Sequence, residues 1–256
     1  MNALQWKIFE QFKQDFKTQV QEWADEVPNL SELQKKAAVL AGTPEYEFEL
    51  PVVYNTALDL ITQTDDIKLI VIGDNPGKDE QLKKNSKYLV GQAGKIAEGY
   101  FRKNPELGVD FRKNVIILNK TPIHSAKTSQ LKTIGKLGGD AVAQLIERSQ
   151  VWMAERTARL HIDLCNACSE NEQKPEIWLV GYSELKPKYL FEKYRDVLKS
   201  VYKDDNWNYV FVYQHFSMNR FTIDLNKYIA DNKKETQPLI KNIHELGLIH
   251  KNEIFN

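Results

Sequence analysis

Four short apolar runs, each followed by a stretch of helical length, restrict this chain more than any other feature. They lie at residues 67–72, 115–118, 177–180 and 209–213 and are rich in β-branched and aromatic side chains. Runs that are almost wholly apolar, rather than alternating, are typical of strands buried on both faces. Strands that alternate with helices form a parallel sheet covered on both sides. The pattern predicts an α/β chain: a three-layer α/β/α sandwich around a central four-stranded parallel sheet.

Upstream of the first run, Leu4, Ile8, Phe9, Phe12, Phe16, Val20 and Trp23 line one face of a helix that Pro28 ends. Ser31 and Gln34 have capping-box spacing for a second helix that closes near Gly42, and residues 53–63 fit a short third one. Residues 1–64 thus form a helical extension to a core spanning 65–225 within one domain. Further helices are expected at 92–103, at 129–164 with a break at Gly138-Gly139, and at 184–202, 223–231 and 234–247. No internal repeat, linker or low-complexity tract interrupts them.

Charge and cysteine content exclude several classes. Lys plus Arg and Asp plus Glu both number 35, so no global basic field draws in nucleic acid. Two cysteines among 256 residues do not make a disulfide-stapled secreted protein. Cys165 and Cys168 form a lone C-x-x-C, half of what a zinc or iron–sulfur site needs, and read as two buried thiols. No apolar run approaches a membrane span, and the charged N-terminus does not read as a secretory signal. The expectation is a soluble cytoplasmic protein.

Polar groups follow three of the runs directly. The first ends in Gly73-Asp74-Asn75-Pro76-Gly77, the second in Asn119 and the fourth in Gln214-His215. In open α/β sheets, ligands bind at the carboxyl edge of the strands. Asp74 and Asn75 can hold a water for attack on carbon, and Gly77 lets a ligand approach the backbone. Asn119 offers a donor and an acceptor to a ring edge, and a neutral His215 can stabilise an anion on a leaving group. Tyr88 can stack on a flat heterocycle. Each also has a plain structural reading: a β-to-α turn, an Asn closing a turn, a surface histidine, a ring packed between loop and sheet. His124 is a second candidate histidine, whereas His161, His244 and His250 receive no role.

Taken in order, these motifs resemble those of the uracil-DNA glycosylase superfamily. Gly73 to Gly77 is similar to its first motif in the mismatch-specific and single-strand-selective branches. Tyr88 to Gly94 resembles the F-V-G-x-A-G segment of the iron–sulfur-bearing branch, with Leu89 at the family's Phe. Val115 to Asn119 is similar to the strand whose terminal Asn reads uracil. Val180 to Ser183 occupies the place of the third strand and its turn. His215 to Arg220 resembles the H-P-S motif and its DNA-penetrating loop, with Phe216 at the Pro.

The resemblance implies specific roles. Asn75 and Asp74 would position the attacking water and Asn119 would read the base. Tyr88 or Leu89 would stack on it, and His215 would stabilise the departing anion. Ser217 would hold a flanking phosphate, while Met218, Asn219 and Arg220 would fill the gap left by a flipped nucleotide. The implied activity is hydrolysis of the N-glycosidic bond of uracil or a related damaged base in DNA, without metal or other cofactor. A non-catalytic base- or nucleic-acid-binding module on the same fold, and an N-glycosidase acting on a small nucleoside, stay open as alternatives.

Overall fold

The computed structural model describes residues 1–170 and 172–256. Its strands are β1 (Leu69–Gly73), β2 (Val115–Asn119), β3 (Glu176–Val180) and β4 (Val210–Tyr213), and every residue in them is buried. They form one parallel sheet in the order β2-β1-β3-β4. The α/β architecture expected from the sequence is therefore present, and each strand bound agrees with its apolar run to within two residues.

Seven α-helices accompany the sheet among the described residues: α1 (Ala3–Glu26), α2 (Leu30–Leu40), α3 (Gln92–Lys103), α4 (Gln130–Asn166), α5 (Glu192–Val201), α6 (Arg220–Asp231) and α7 (Leu239–Phe255). Right-handed crossovers put α3 on one face and α4 with α5 on the other, because the chain reverses its direction across the sheet after β2. On the first face, Tyr100 of α3 meets Phe221 of α6 at 5.0 Å, and Phe101 meets Trp178 of β3 at 5.5 Å between ring centroids. The Tyr213 hydroxyl of β4 donates to the Ile243 carbonyl of α7 at 3.1 Å. On the second face, α5 packs on α4, and α1 and α2 also pack on α4.

The N-terminal helix is built as its spacing predicts. Phe9, Phe12, Phe16, Val20 and Trp23 are all buried, each contributing about 1.5–3 kcal/mol when fully removed from water. Trp23 stands edge-on to Trp152 of α4 at 5.5 Å. Asn2 starts the helix with a reciprocal capping box: its Oδ1 accepts from the amides of Leu4 and Gln5, while the Gln5 side chain accepts from the Asn2 amide.

Several local expectations need correction. The Ser31/Gln34 capping box does not form. The second helix starts at Leu30 after Asn29 without a side-chain cap, and Gln34 instead donates to the carbonyls of Pro51 and His124. Residues 53–63 hold only a 3-10 turn, Thr56–Leu60. The helix expected over 184–202 begins at Glu192, because Pro187 follows an extended Lys186 (φ −65°, ψ 159°) and Lys188 then takes a positive φ of 70°. The final helix starts at Leu239 rather than 234, behind Pro238. The break in α4 does occur, at Gly139 (φ 69°, ψ −165°), a conformation open to glycine.

Residues 51–55 run beside the outer edge of β2. Val52 and Ile123 form an antiparallel bridge, the Val53 amide donates to the Pro122 carbonyl at 2.9 Å, and Asn55 Nδ2 donates to the Ile117 carbonyl at 2.8 Å. One β2 carbonyl, that of Ile117, is thereby met at an otherwise open edge.

Candidate functional site

The strand order fixes where a site can form. β1 and β3 are paired as far as Ile72 and Leu179, after which Gly73 continues with Asn119 and Val180 with Tyr213. The two central strands part there, and the chain leaves them in opposite directions. Such a switch point opens a crevice at the carboxyl edge of a sheet. Here the crevice is a cleft of about 310 Å³ lined by residues that follow all four strands, among them Asp74, Asn75, Gly77, Ser125, Gly181, Glu184, His215, Ser217, Met218 and Arg220.

The turn after β1 is bolted to the loop after β2. The Ser125 amide and His124 Nδ1–H donate to the Pro76 carbonyl at 3.2 and 2.8 Å. Asn75 Nδ2 donates to the hydroxyl and carbonyl of Ser125 at 2.9 and 3.2 Å, which orients the amide and leaves its oxygen without a protein partner among the described residues. The Gly77 amide is already spent on the buried Glu80 carboxylate at 3.0 Å. Burial pushes Glu80 up to about 7 against three backbone amides that favour its charged form.

Beneath the turn sits a residue that the sequence motifs did not single out. Lys120 is fully buried, and its Nζ donates to Asp74 Oδ1 at 2.5 Å, to the Val180 carbonyl at 2.6 Å and to the Gly73 carbonyl at 3.3 Å. Burial lowers the Lys120 pKa, and the Asp74 charge works against that shift. Asp74 Oδ2 makes no hydrogen bond with the described residues and is open to the cleft. Gly181 makes room for the pair: at φ 95° it lies where a Cβ would overlap Asp74 Oδ1 and stand 3.1 Å from Lys120 Nζ. The sequence signal was a lysine directly after a buried strand, which needs an acidic partner to be tolerated there.

His215 forms the opposite wall. The Ser217 amide donates to its Nδ1 at 3.1 Å, so the neutral ring carries its proton on Nε2. Burial lowers its pKa, with Asp74 opposing and Lys120 and Arg220 assisting. The result is a neutral imidazole with Nε2–H as a donor that no described residue accepts. Phe216 is buried against Phe221 at 5.1 Å and anchors the loop. Met218 and Asn219 follow with positive φ values of 53° and 56°, unusual for two successive non-glycine residues. Met218 stands 67% exposed at the rim.

The structure therefore brings Asp74, Asn75, Gly77, His215, Ser217, Met218 and Arg220 to one cleft, and leaves Tyr88, Leu89 and Asn119 of the expected base-binding set outside it. Tyr88 is wholly buried, with its hydroxyl on the Val53 carbonyl at 2.6 Å, so its ring is packing and not a stacking platform. Leu89 is also buried, held in a positive φ of 50° by the close approach of Gly94 to its carbonyl. Asn119 is 2% exposed, with its Oδ1 packed on Gly73 and its Nδ2 buried without a partner. Ser217 has its hydroxyl 2.9 Å from His215 Nδ1, which ties it to the imidazole instead of a phosphate. Asn219 is exposed and precedes α6.

Two other sequence candidates are structural. His124 is sealed between Tyr46 and Pro76, and burial pushes it down to about 4. Cys165 is buried beside His161 at the amino edge of β3, with its thiol pushed up to about 12, while Cys168 is only half-buried. Among the described residues no cluster of three or more His, Cys, Asp or Glu is placed to hold a metal, and no helix is long and apolar enough to cross a membrane. No family model, curated relative or solved structure matches the chain.

Proposed function

We propose that this chain is a uracil-DNA-glycosylase-like hydrolase that cleaves the N-glycosidic bond of uracil or a related damaged base in DNA. The observation that carries the reading is the pairing, in one switch-point cleft, of the His215 Nε2–H donor with the unpartnered oxygen of Asn75. Breaking an N-glycosidic bond leaves positive charge on the sugar and negative charge on the base. A preset imidazole donor stabilises that anion, and a fixed amide oxygen beside a carboxylate holds the water that attacks the sugar carbon. The exposed Met218 on its left-handed turn is shaped to enter a base stack, and Lys127 and Arg220 at the cleft offer charge to phosphate.

One observation favours a second reading. The seclusion of Asn119 beneath Gly73 keeps its amide out of the cleft, which suits a site that binds a base or nucleotide without excising it. Single- and double-stranded oligonucleotides containing one uracil separate the two. Alkali-labile abasic sites, lost by about a hundred- to a thousandfold in His215→Ala and also in Asn75→Ala, support the enzyme. Binding without strand breaks in the unsubstituted chain supports the module.

A further inference from the structure

Asn75, His215, Asp74 and Glu184 line the cleft, and of these only Asp74 offers a free proton acceptor held in place by a partner. The carboxamide of Asn75 has no basic site at working pH. The lone pair of His215 is occupied at Nδ1 by the Ser217 amide, and its Nε2 already carries hydrogen. Asp74 presents an unpartnered oxygen. Glu184 also lines the cleft, but among the described residues no hydrogen bond or ion pair fixes the aim of its carboxylate.

We propose that Lys120 is the positioning residue of this cleft: its ammonium, seated between the parted ends of β1 and β3, fixes Asp74 so that Oδ2 faces the water held by Asn75 and takes its proton. The inference rests on the glycosidic-hydrolysis reading above. An ammonium has three N–H donors, and Lys120 finds three acceptors: Asp74 Oδ1 and the carbonyls that end β1 and β3. Its ring neighbour Phe191, 5.0 Å from Nζ, closes the cavity from the side. No donor is left over and no part of the side chain reaches solvent, so Lys120 acts through Asp74 and touches no ligand.

The chemical step balances without a further reactant. The water oxygen bonds to the anomeric carbon as the C–N bond breaks, and the bonding pair leaves with the base, whose anion the His215 Nε2–H stabilises. The proton released by the water passes to Asp74 Oδ2 and returns to the base on release. The products are the abasic sugar and the neutral base.

The test compares Asp74→Asn, Lys120→Met and the double variant Lys120→Met/Asp74→Asn on a uracil oligonucleotide under single-turnover conditions, with thermal melting alongside. All three are expected to lose about a hundred- to ten-thousandfold in rate, the double variant no more than either single, while oligonucleotide binding changes little. The double variant removes both charges, so it regains stability lost by the singles but not the rate. Formate is expected to restore Asp74→Ala by roughly tenfold or more, since a small carboxylate replaces the missing base. If Lys120→Met fails to fold, the double variant and the formate rescue decide. A double variant as active as the unsubstituted chain, or no rescue by formate, overturns the proposal. His215→Ala inactive with Lys120→Met fully active would overturn it and leave the enzyme reading standing, whereas no excision by the unsubstituted chain overturns both.

Discussion

A methyl group at Gly181 should be among the costliest single changes this fold can receive. Two separable effects add. Gly181 sits at φ 95°, ψ 39°, where an L side chain costs about 1–2 kcal/mol. A Cβ there overlaps Asp74 Oδ1 and crowds Lys120 Nζ at 3.1 Å, so the buried pair must separate. Breaking such a pair costs about 3–5 kcal/mol; water entering through the cleft beside Asp74 puts this case at the lower end. Gly181→Ala should therefore lose about 4–6 kcal/mol in urea unfolding, roughly 8–20 °C in Tm. In a Lys120→Met/Asp74→Ala background no pair remains to be split, and the same substitution should cost only its backbone strain of about 1–2 kcal/mol. Equal costs in the two backgrounds, or a loss below about 1.5 kcal/mol in the unsubstituted chain, would refute the idea that Gly181 exists to admit the ion pair.

Other consequences are smaller or concern the site. On the glycosidic-hydrolysis reading, Ser125→Ala removes the hydroxyl acceptor of the Asn75 amide and leaves it only the Ser125 and Pro76 carbonyls, which should lower uracil excision by about tenfold through looser placement of the water, with Tm nearly unchanged. Tyr88→Phe removes a buried hydroxyl from the Val53 carbonyl and should cost about 1–2 kcal/mol in denaturant melts while leaving base binding untouched; a loss of binding would return Tyr88 to the site. His124 and His161 are held neutral, each pushed down to about 4. Their folded values lie below the unfolded one, so their stabilisation is complete above about pH 6.5 and is lost as pH falls toward 4. Melting temperature should drop across that window, and His161→Gln should flatten the slope.

Much of the frame was legible because burial writes itself into composition. The four apolar runs read as strands buried on both faces, and the Phe9–Trp23 stripe as one helix face. The Gly138-Gly139 break was readable because glycine alone bends a helix so cheaply. Pro187 was equally visible and should have moved the start of α5, since the residue before it cannot stay helical. The cleft was legible in part: motifs at strand ends foretold Asp74, Asn75 and His215. Lys120 was not, because its three acceptors come from β1, β3 and the turn after β1, which meet only once the strand order is known. Tyr88 misled for the same reason. A tyrosine in the turn before a helix looks alike in sequence whether its hydroxyl meets solvent or, as here, the carbonyl of Val53.

The strip at residues 51–55 changes how the chain can be divided. What reads as a helical prefix followed by a self-sufficient core is, at this strip, a single fabric, because Asn55 bonds Ile117 at the rim of the sheet and Val53 bonds Pro122 in the loop that follows β2. A fragment starting at residue 65 would bare the Ile117 carbonyl on the open edge of β2 and the greasy flank of α4 together. Such a truncation should be recovered from cells as insoluble material, and the shortest working piece of this protein must begin before the strip does.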